Sequence, residues 1–501
     1  MTINLPPEQL DWRIKGLPAA WRGGAAELAG AGLSVLNEDL MLPAAVLRRS
    51  ALQHNSGWMR RFTERTGTHI APHGKTTMSP ELFAMQMADG AWGITAATAG
   101  HVRAYRAFGI GRIFMANQLV GRENIAYVAG ELRTDPDFDF YCLVDSMRAI
   151  DLLEAGLSAT PPGRRLQVLI ELGLPGGRTG FRDDAEALAA AERIAASPHV
   201  CLRGIEAFEG IVQGLEAAER DAKVDALLER IVRLAEHCHD TGLFAGEPML
   251  SAGGSALFDR VAGTFGAARK DRPFLVLLRS GCYLVHDSHF YKQLVDQLEA
   301  RSPIAASLGE GLRPALEVWA YVHSRPEPTR VIAGLGKRDI GEDVARPTPL
   351  AWARPGPGAA TLPLGDTHRV VRLDDQHAYL DVPAESPLQP GDLIGLGISH
   401  PCTTFDKWKL LYIVDDALVV THRRLDGLNR PHLPDEQRYD VSWKDHDVLQ
   451  RQQRIAHGVH VVTARHGLGI LFTADHHPHG GGRGLPLWAR GGGFIWARIG
   501  S

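Results

Sequence analysis

Between residues 42 and 310, short apolar runs alternate with longer stretches of helical period, and this alternation restricts the fold more than any other feature of the chain. The runs Ile113–Ala116, Tyr141–Val144, Gln167–Leu172, Leu202–Phe208, Met249–Ala252 and Phe274–Leu278 are short and rich in branched and aromatic residues, as buried strands are. Between them Ser79–Ala88, Ser146–Ala155, Asp184–Ala196 and Leu215–Thr241 carry helical spacing. Strand–helix alternation repeated this often predicts a parallel α/β fold. Six or more such units with no dinucleotide fingerprint favour a closed (β/α)8 TIM barrel over an open sheet.

After residue 312 the texture changes. Ala315–Val322, Arg330–Ala333, His368–Leu373, Ala378–Val382, Gly391–Leu396 and Leu411–Val420 are strand-like runs split by Pro, Gly and Asp, which predicts a mostly β second domain. Arg346–Gly365, rich in Pro and Gly, reads as a loop. From His422 the chain holds nine of its 22 histidines and ten arginines but one lysine, with poor apolar periodicity. The expected organisation is an N-terminal segment 1–41 placed against the β domain, a barrel at 42–311, a β domain at 312–421, and an accessory or poorly ordered tail at 422–501. His476, His477 and His479 in that tail read as a solvated loop rather than a metal site.

A net charge of -4 in 501 residues gives no general pull toward nucleic acid or an anionic membrane, so any phosphate binding must be local. No basic n-region precedes an apolar core, and no apolar run approaches the roughly 20 residues of a spanning helix. The five cysteines, 142, 201, 238, 282 and 402, are odd in number and scattered. A reducing, cytoplasmic setting is the expectation.

Within this frame Ala71-Pro-His-Gly-Lys-Thr-Thr-Met78 puts a lysine at the end of an early strand. A phosphate loop would need glycine where His69 stands, so that reading fails. A lysine at a partly buried strand end suits Schiff-base chemistry, because desolvation favours the nucleophilic amine. Taken alone it would be a surface lysine. Two small-residue segments change the weighting: Ser251-Ala-Gly-Gly-Ser255 and Leu278-Arg-Ser-Gly-Cys-Tyr283 follow successive late strands, where backbone N–H groups can approach a phosphate. The combination suits a cofactor carrying both an aldehyde and a phosphate.

A further pair stands in Ile398-Ser-His-Pro-Cys-Thr-Thr-Phe405. In extended backbone, residues two apart point the same way, so His400 and Cys402 would face one site, and an imidazole with a thiolate suits zinc. Two ligands are too few for a closed structural site and leave room for substrate. The plainer alternative is a strand-end histidine beside a buried free cysteine.

Taken in order, His73-Gly-Lys-Thr76, Gly93-Ile-Thr-Ala-Ala-Thr98, Glu171 to Gly180 with its Gly-Arg-Thr-Gly end, Gly253-Gly-Ser255, Arg279-Ser-Gly-Cys-Tyr283, Gln376-His377 and Ser399-His-Pro-Cys402 resemble the D-serine dehydratase-like and D-threonine aldolase-like family, related to alanine racemase. The resemblance runs from about Leu42 to Val420. It implies a pyridoxal 5'-phosphate barrel with a C-terminal β domain, and a homodimer. Lys75 would hold the cofactor, and Arg178 would contact its ring face or 3-hydroxyl. Gly254, Ser255, Gly281 and Cys282, with Tyr283 adjacent, would hold the phosphate, and Arg279 would meet the pyridine nitrogen. His377 is a weaker substrate-site candidate. In the dehydratase-like branch the His-x-Cys pair binds Zn2+, whereas aldolase-like relatives carry His-x-Asp. The sequence departs from the family at Phe208-Glu-Gly-Ile211, where a Tyr-x-Gly-His segment is usual, and Glu209 is a candidate replacement for the lost groups.

The expectation is a lyase that eliminates the β-hydroxyl of a small D-3-hydroxy amino acid, giving a 2-oxo acid and ammonia. Retro-aldol cleavage is the second reading and racemisation the third, weakened by the lack of a second base. A non-catalytic PLP carrier is the reading from another class; the His400–Cys402 pair argues against it.

Overall fold

The computed structural model describes residues 10–28, 30–212, 216–254, 256–356 and 358–421, together with four short strands beyond residue 459. Strand β1 (Ala44–Arg48) is followed by eight parallel strands: β2 (His69–Ile70), β3 (Ile94–Ala96), β4 (Arg112–Gln118), β5 (Asp139–Val144), β6 (Leu166–Leu172), β7 (Val200–Ala207), β8 (Met249–Ala252) and β9 (Leu275–Leu278). They lie in the order β2-β9-β8-β7-β6-β5-β4-β3. The chain just past β2 closes the ring on β3: Thr95 N–H donates to Pro72 C=O at 2.8 Å, and His73 bridges Thr95.

Why these segments form a barrel is visible along β6. Val168 and Ile170 join the large cluster under the helices, whereas Leu169 joins Ala71, Phe114, Tyr141, Leu143, Met249 and Leu277 in a separate inner cluster. Both faces are buried, so the strand reads as a continuous apolar run. Helix starts are fixed by side-chain caps after the strands: Ser79, Thr98, Ser146 and Asp183 each accept a backbone N–H three residues on. The βα turns lie at one end of the barrel, where such folds carry their chemistry.

The second sheet is built from β10 (Leu316–Glu327), β11 (Arg330–Ala333), β12 (Thr348–Ala353), β13 (Leu362–Pro363), β14 (Arg369–Leu373), β15 (Ala378–Asp381), β16 (Leu393–Gly397) and β17 (Tyr412–Val414). Its core path is β13-β12-β16-β10-β11-β15-β14, antiparallel throughout, and β1 joins it by pairing with β10 and, in parallel, with β17.

Several local expectations change. The first strand after Leu42, β1, lies in this sheet and not in the barrel. Arg346–Gly365 is not one loop: it holds β12 and β13, with Pro349 at a register shift where the lost N–H is tolerated. Of Leu411–Val420 only Tyr412–Val414 is strand; Asp415 then turns the chain, and Val420 N–H donates back to Leu33 C=O at 2.7 Å. The strands β2 and β3 are two and three residues long, too short to show a period in the sequence.

The chain divides into two compact units, Met1–Arg430 and Pro431–Ser501. In the second, β18 (His460–Ala464) pairs antiparallel with β19 (Gly467–Leu471), and β20 (Leu487–Trp488) with β21 (Phe494–Ile495). His476, His477, His479 and most of the tail lie outside the described residues. No helix among the described residues is long and apolar enough to cross a membrane.

Candidate active site

Lys75 stands on a single 3-10 turn, Gly74–Thr76, just past β2. Gly74 is required there: a Cβ would lie 2.7 Å from the Phe83 ring and from the Tyr105 hydroxyl. The lysine is exposed and makes no hydrogen bond or ion pair among the described residues. A lysine at a partly buried strand end is the expectation, and the exposed side chain corrects it.

Four cationic or basic groups crowd the neighbouring His73. Burial, then Lys75, Arg279, His101 and Arg178, hold the His73 imidazole well below its usual range, and its Nδ1 is buried without a partner. His101 is pushed down to about 4 by burial and then by Lys75, and its Nδ1 accepts the Ala97 N–H at 3.3 Å. A histidine depressed in the fold contributes stability that is full above the unfolded value near 6.5 and is lost as pH falls toward 4. Acidification from pH 7 to 4 is expected to cost about 2–3 kcal/mol through this group. Urea unfolding at a series of pH values should show a shallower acid loss in His101→Leu than in the parent.

Arg279 is buried at the end of β9, where Nη2 donates to Glu206 and to the Ala207 carbonyl, the latter at 2.8 Å. Glu206 is fully buried, and desolvation pushes its carboxyl up to about 8 against the pull of Arg279. Nε of Arg279 and Oε1 of Glu206 are buried without partners. Arg178 is exposed and lies over the Phe208 ring, 4.9 Å from its centroid. Phe208 thus serves as a platform for the guanidinium, at the position where the resemblance leads to the expectation of a tyrosine.

The late loops meet the lysine turn by close approach. A Cβ on Gly281 would fall 2.7 Å from both Cβ and the carbonyl of His73 and 2.8 Å from Thr76 Oγ1. Gly281→Ala should therefore separate the two loops and cost about 1–3 kcal/mol, as overpacking does. Lower thermal stability together with weaker cofactor uptake in a spectral titration would show it. Gly253 takes φ +98°, and the Ser280 hydroxyl donates to the carbonyls of Gly253 and Gly254 at 3.1 and 2.9 Å.

Two expectations for the phosphate loops change. The N–H groups of Gly253 and Gly254 already donate to the Glu209 carboxylate at 3.0 and 2.6 Å, so Glu209 braces the loop and Gly254 has no free donor. Tyr283 is buried in the core with its hydroxyl bonded to Gln86. Ser255 lies outside the described residues. His377 sits on an exposed turn between β14 and β15, and no hydrogen bond ties its side chain to the cluster among the described residues.

Cys402 is not on extended backbone. His400 is extended (φ -161°, ψ 133°), but Pro401–Phe405 turns into a short helix. The two side chains converge nonetheless, and Cys282 joins them: one ligand atom from each of Cys282, His400 and Cys402 lies within 4.8 Å of the others. Thr76, next to Lys75, ties the group to the lysine turn, its Oγ1 3.8 Å from the Cys282 sulfur and 3.7 Å from that of Cys402. The Cys282 thiol and burial push the Cys402 thiol up, while Nδ1 of His400 is buried and unpartnered. Two crowded thiols and an orphaned imidazole nitrogen are reconciled by a soft divalent cation, which would deprotonate the sulfurs. Cys282 was assigned to the phosphate by its backbone; no spacing rule ties it to a His-x-Cys pair so far along the chain. All five cysteines are free thiols.

Residues 47–270 match the family described as "Alanine racemase, N-terminal domain", and residues 315–414 match "Putative serine dehydratase domain". The chain belongs to the alanine-racemase-like, fold-type III family of pyridoxal-phosphate enzymes. Among family members, it is 27% identical over 378 residues to the D-threonine aldolase of Arthrobacter sp, covering 75% of this chain and 90% of the aldolase. It is 26% identical over 395 residues to the D-threo-3-hydroxyaspartate dehydratase of Delftia sp. (strain HT23), covering 77% and 97%. The crystal structure of the D-threonine aldolase from Filomicrobium marinum superposes with a TM-score of 0.62 at 21% identity, covering 78% of this chain and 95% of that one, a likeness of fold.

Proposed function

We propose that this family member is a dehydratase–deaminase acting on a small D-3-hydroxy amino acid of D-serine type, releasing a 2-oxo acid and ammonia. The observation that carries the reading is the Cys282–His400–Cys402 cluster beside the Lys75 turn. Three protein ligands with a fourth position open is the pattern of a catalytic zinc site.

The residues present fit the cofactor. Lys75 has its amine free, Arg178 supplies an exposed cation, and Arg279 is anchored by Glu206 in the barrel. Backbone groups of Gly281 and Cys282, with Ser255, would receive the phosphate. Bound pyridoxal phosphate would supply a sink for the Cα electrons, and zinc a Lewis acid for the departing hydroxyl. Lys75, displaced from the cofactor by the substrate's amine, takes the α-proton on Nζ. Arg279, which cannot readily give up a proton, would meet the pyridine nitrogen and leave the ring a weaker electron sink. The barrel mouth orients the substrate so that Cβ lies toward Cys282, His400 and Cys402, where hydroxide leaves. Hydrolysis of the resulting enamine gives the 2-oxo acid and ammonia. We propose a homodimer, to be checked by sedimentation.

Similarity to a D-threonine aldolase supports the second reading, in which the hydroxyl is deprotonated and the Cα–Cβ bond breaks. Thiol-rich ligation favours zinc over the harder metals and, with it, elimination. D-Threonine is the deciding substrate. The expected product is 2-oxobutyrate with ammonia; glycine with acetaldehyde as the main products would select the aldolase reading.

A further inference from the structure

Behind the His400–Cys402 turn lies a group of buried polar atoms with no hydrogen-bond partner: Nε2 of His286, Oδ2 of Asp287, Oγ of Ser288, Oγ of Ser399 and Nδ1 of His400. His286, Asp287 and Ser399 are at most 1% exposed. The two stretches are held together, since Ser288 N–H donates to the Ile398 carbonyl at 3.0 Å. A Cβ on Gly397 would lie 2.2 Å from Ser288 Oγ, so the contact admits no side chain. The Tyr291 ring lies 5.7 Å from the His400 ring, centroid to centroid, and 6.4 Å from that of His286.

Asp287 is the charged member of this group. Its Oδ1 accepts the backbone N–H groups of His289 and Tyr291, both at 2.9 Å, at the start of the helix Phe290–Arg301. Its Oδ2 is buried with no hydrogen-bond partner among the described residues. Capping that helix needs one oxygen, and leaving the other buried and idle is costly. The helix start ties Asp287 to the His400 side of this group, since the Tyr291 N–H that its Oδ1 accepts belongs to the residue whose ring lies 5.7 Å from the His400 ring. A carboxylate outside a ligating histidine commonly fixes its tautomer and ring orientation.

We propose that Asp287 is a positioning residue whose free oxygen holds the His400 imidazole, directly or through one ordered water, in the orientation that metal binding at Cys282, His400 and Cys402 requires. The inference rests on the metal reading above and adds a residue to it. Asp287→Asn separates the two roles of the side chain, because the amide oxygen still caps His289 and Tyr291 while the charge is lost. Zinc affinity of the parent and the variant is measured by competition with a chromophoric chelator on the full-length, cofactor-loaded protein, with thermal unfolding read on the same samples. The expected result is zinc binding about 10–100-fold weaker, with the unfolding temperature and cofactor band close to those of the parent. Asp287→Ala, which loses the cap as well, should match that loss of affinity and also unfold at a lower temperature; it serves the same comparison if the Asn variant does not fold. A parent that takes up zinc beside variants that bind it equally well overturns the inference alone. A parent that takes up no zinc overturns the metal reading and the inference together.

Discussion

Lys75→Ala is expected to lack the visible-edge absorbance of the holoenzyme and to lose turnover by on the order of 10²–10⁴-fold from proton transfer alone. The effect is large because one amine is asked both to hold the cofactor and to take the α-proton. Lys75 acts on the buried His73 imidazole more strongly than Arg279, His101 or Arg178 does. Borohydride should bleach the parent's band and leave a label that maps to Lys75 by peptide mass. An alanine variant with the parent's spectrum and rate would remove Lys75 from the site.

The second large effect concerns the metal ligands. Chelation is expected to abolish turnover while sparing the cofactor band, and added zinc should restore it. Cys402→Ala should behave like the chelated protein without rescue. Cys282→Ala distinguishes a three-ligand site from the His-x-Cys pair alone: with the third ligand lost, zinc should bind more weakly by more than the ~10–100-fold typical of outer partners. Zinc content by metal analysis after dialysis, read beside the spectrum, checks both variants. Metal-free protein with full activity would refute the role given to the cluster, and parent-like zinc binding by Cys282→Ala would return that residue to the phosphate loop. Retention of the cofactor band matters here, because Gly281 presses the same loop against His73 and Thr76, and a collapsed loop would lose both groups at once.

Much of the barrel was legible in the chain itself. Met249–Ala252 and the helix after Asp183 fall where their patterns place them, because a strand buried on both faces must be apolar throughout and a capped helix announces its start. The proposal of Lys75 rests on another kind of signal: a run of flanking motifs in fixed order carries information that no single residue does. The β2 and β3 strands were not legible, since two or three residues hold no period; the pairing that defines them comes from β9 and β4. Nor was β12, whose Pro349 speaks for a loop until β16 supplies the register that tolerates it.

Sequence alone determined the elements that repeat, and with them the fold class; it also supplied Lys75 and the His400–Cys402 pair as the candidates on which the proposed function rests. Only tertiary structure decided which distant residues share a site. Cys282 stands next to His400 and Cys402 because the chain past β9 meets the Pro401–Phe405 turn, and Thr76 Oγ1 lies within 3.8 Å of both sulfurs. Glu209 braces Gly253 and Gly254 for the same reason. Periodicity reports what a residue does within its own element, whereas a contact between two loops depends on where the closed sheet delivers their ends.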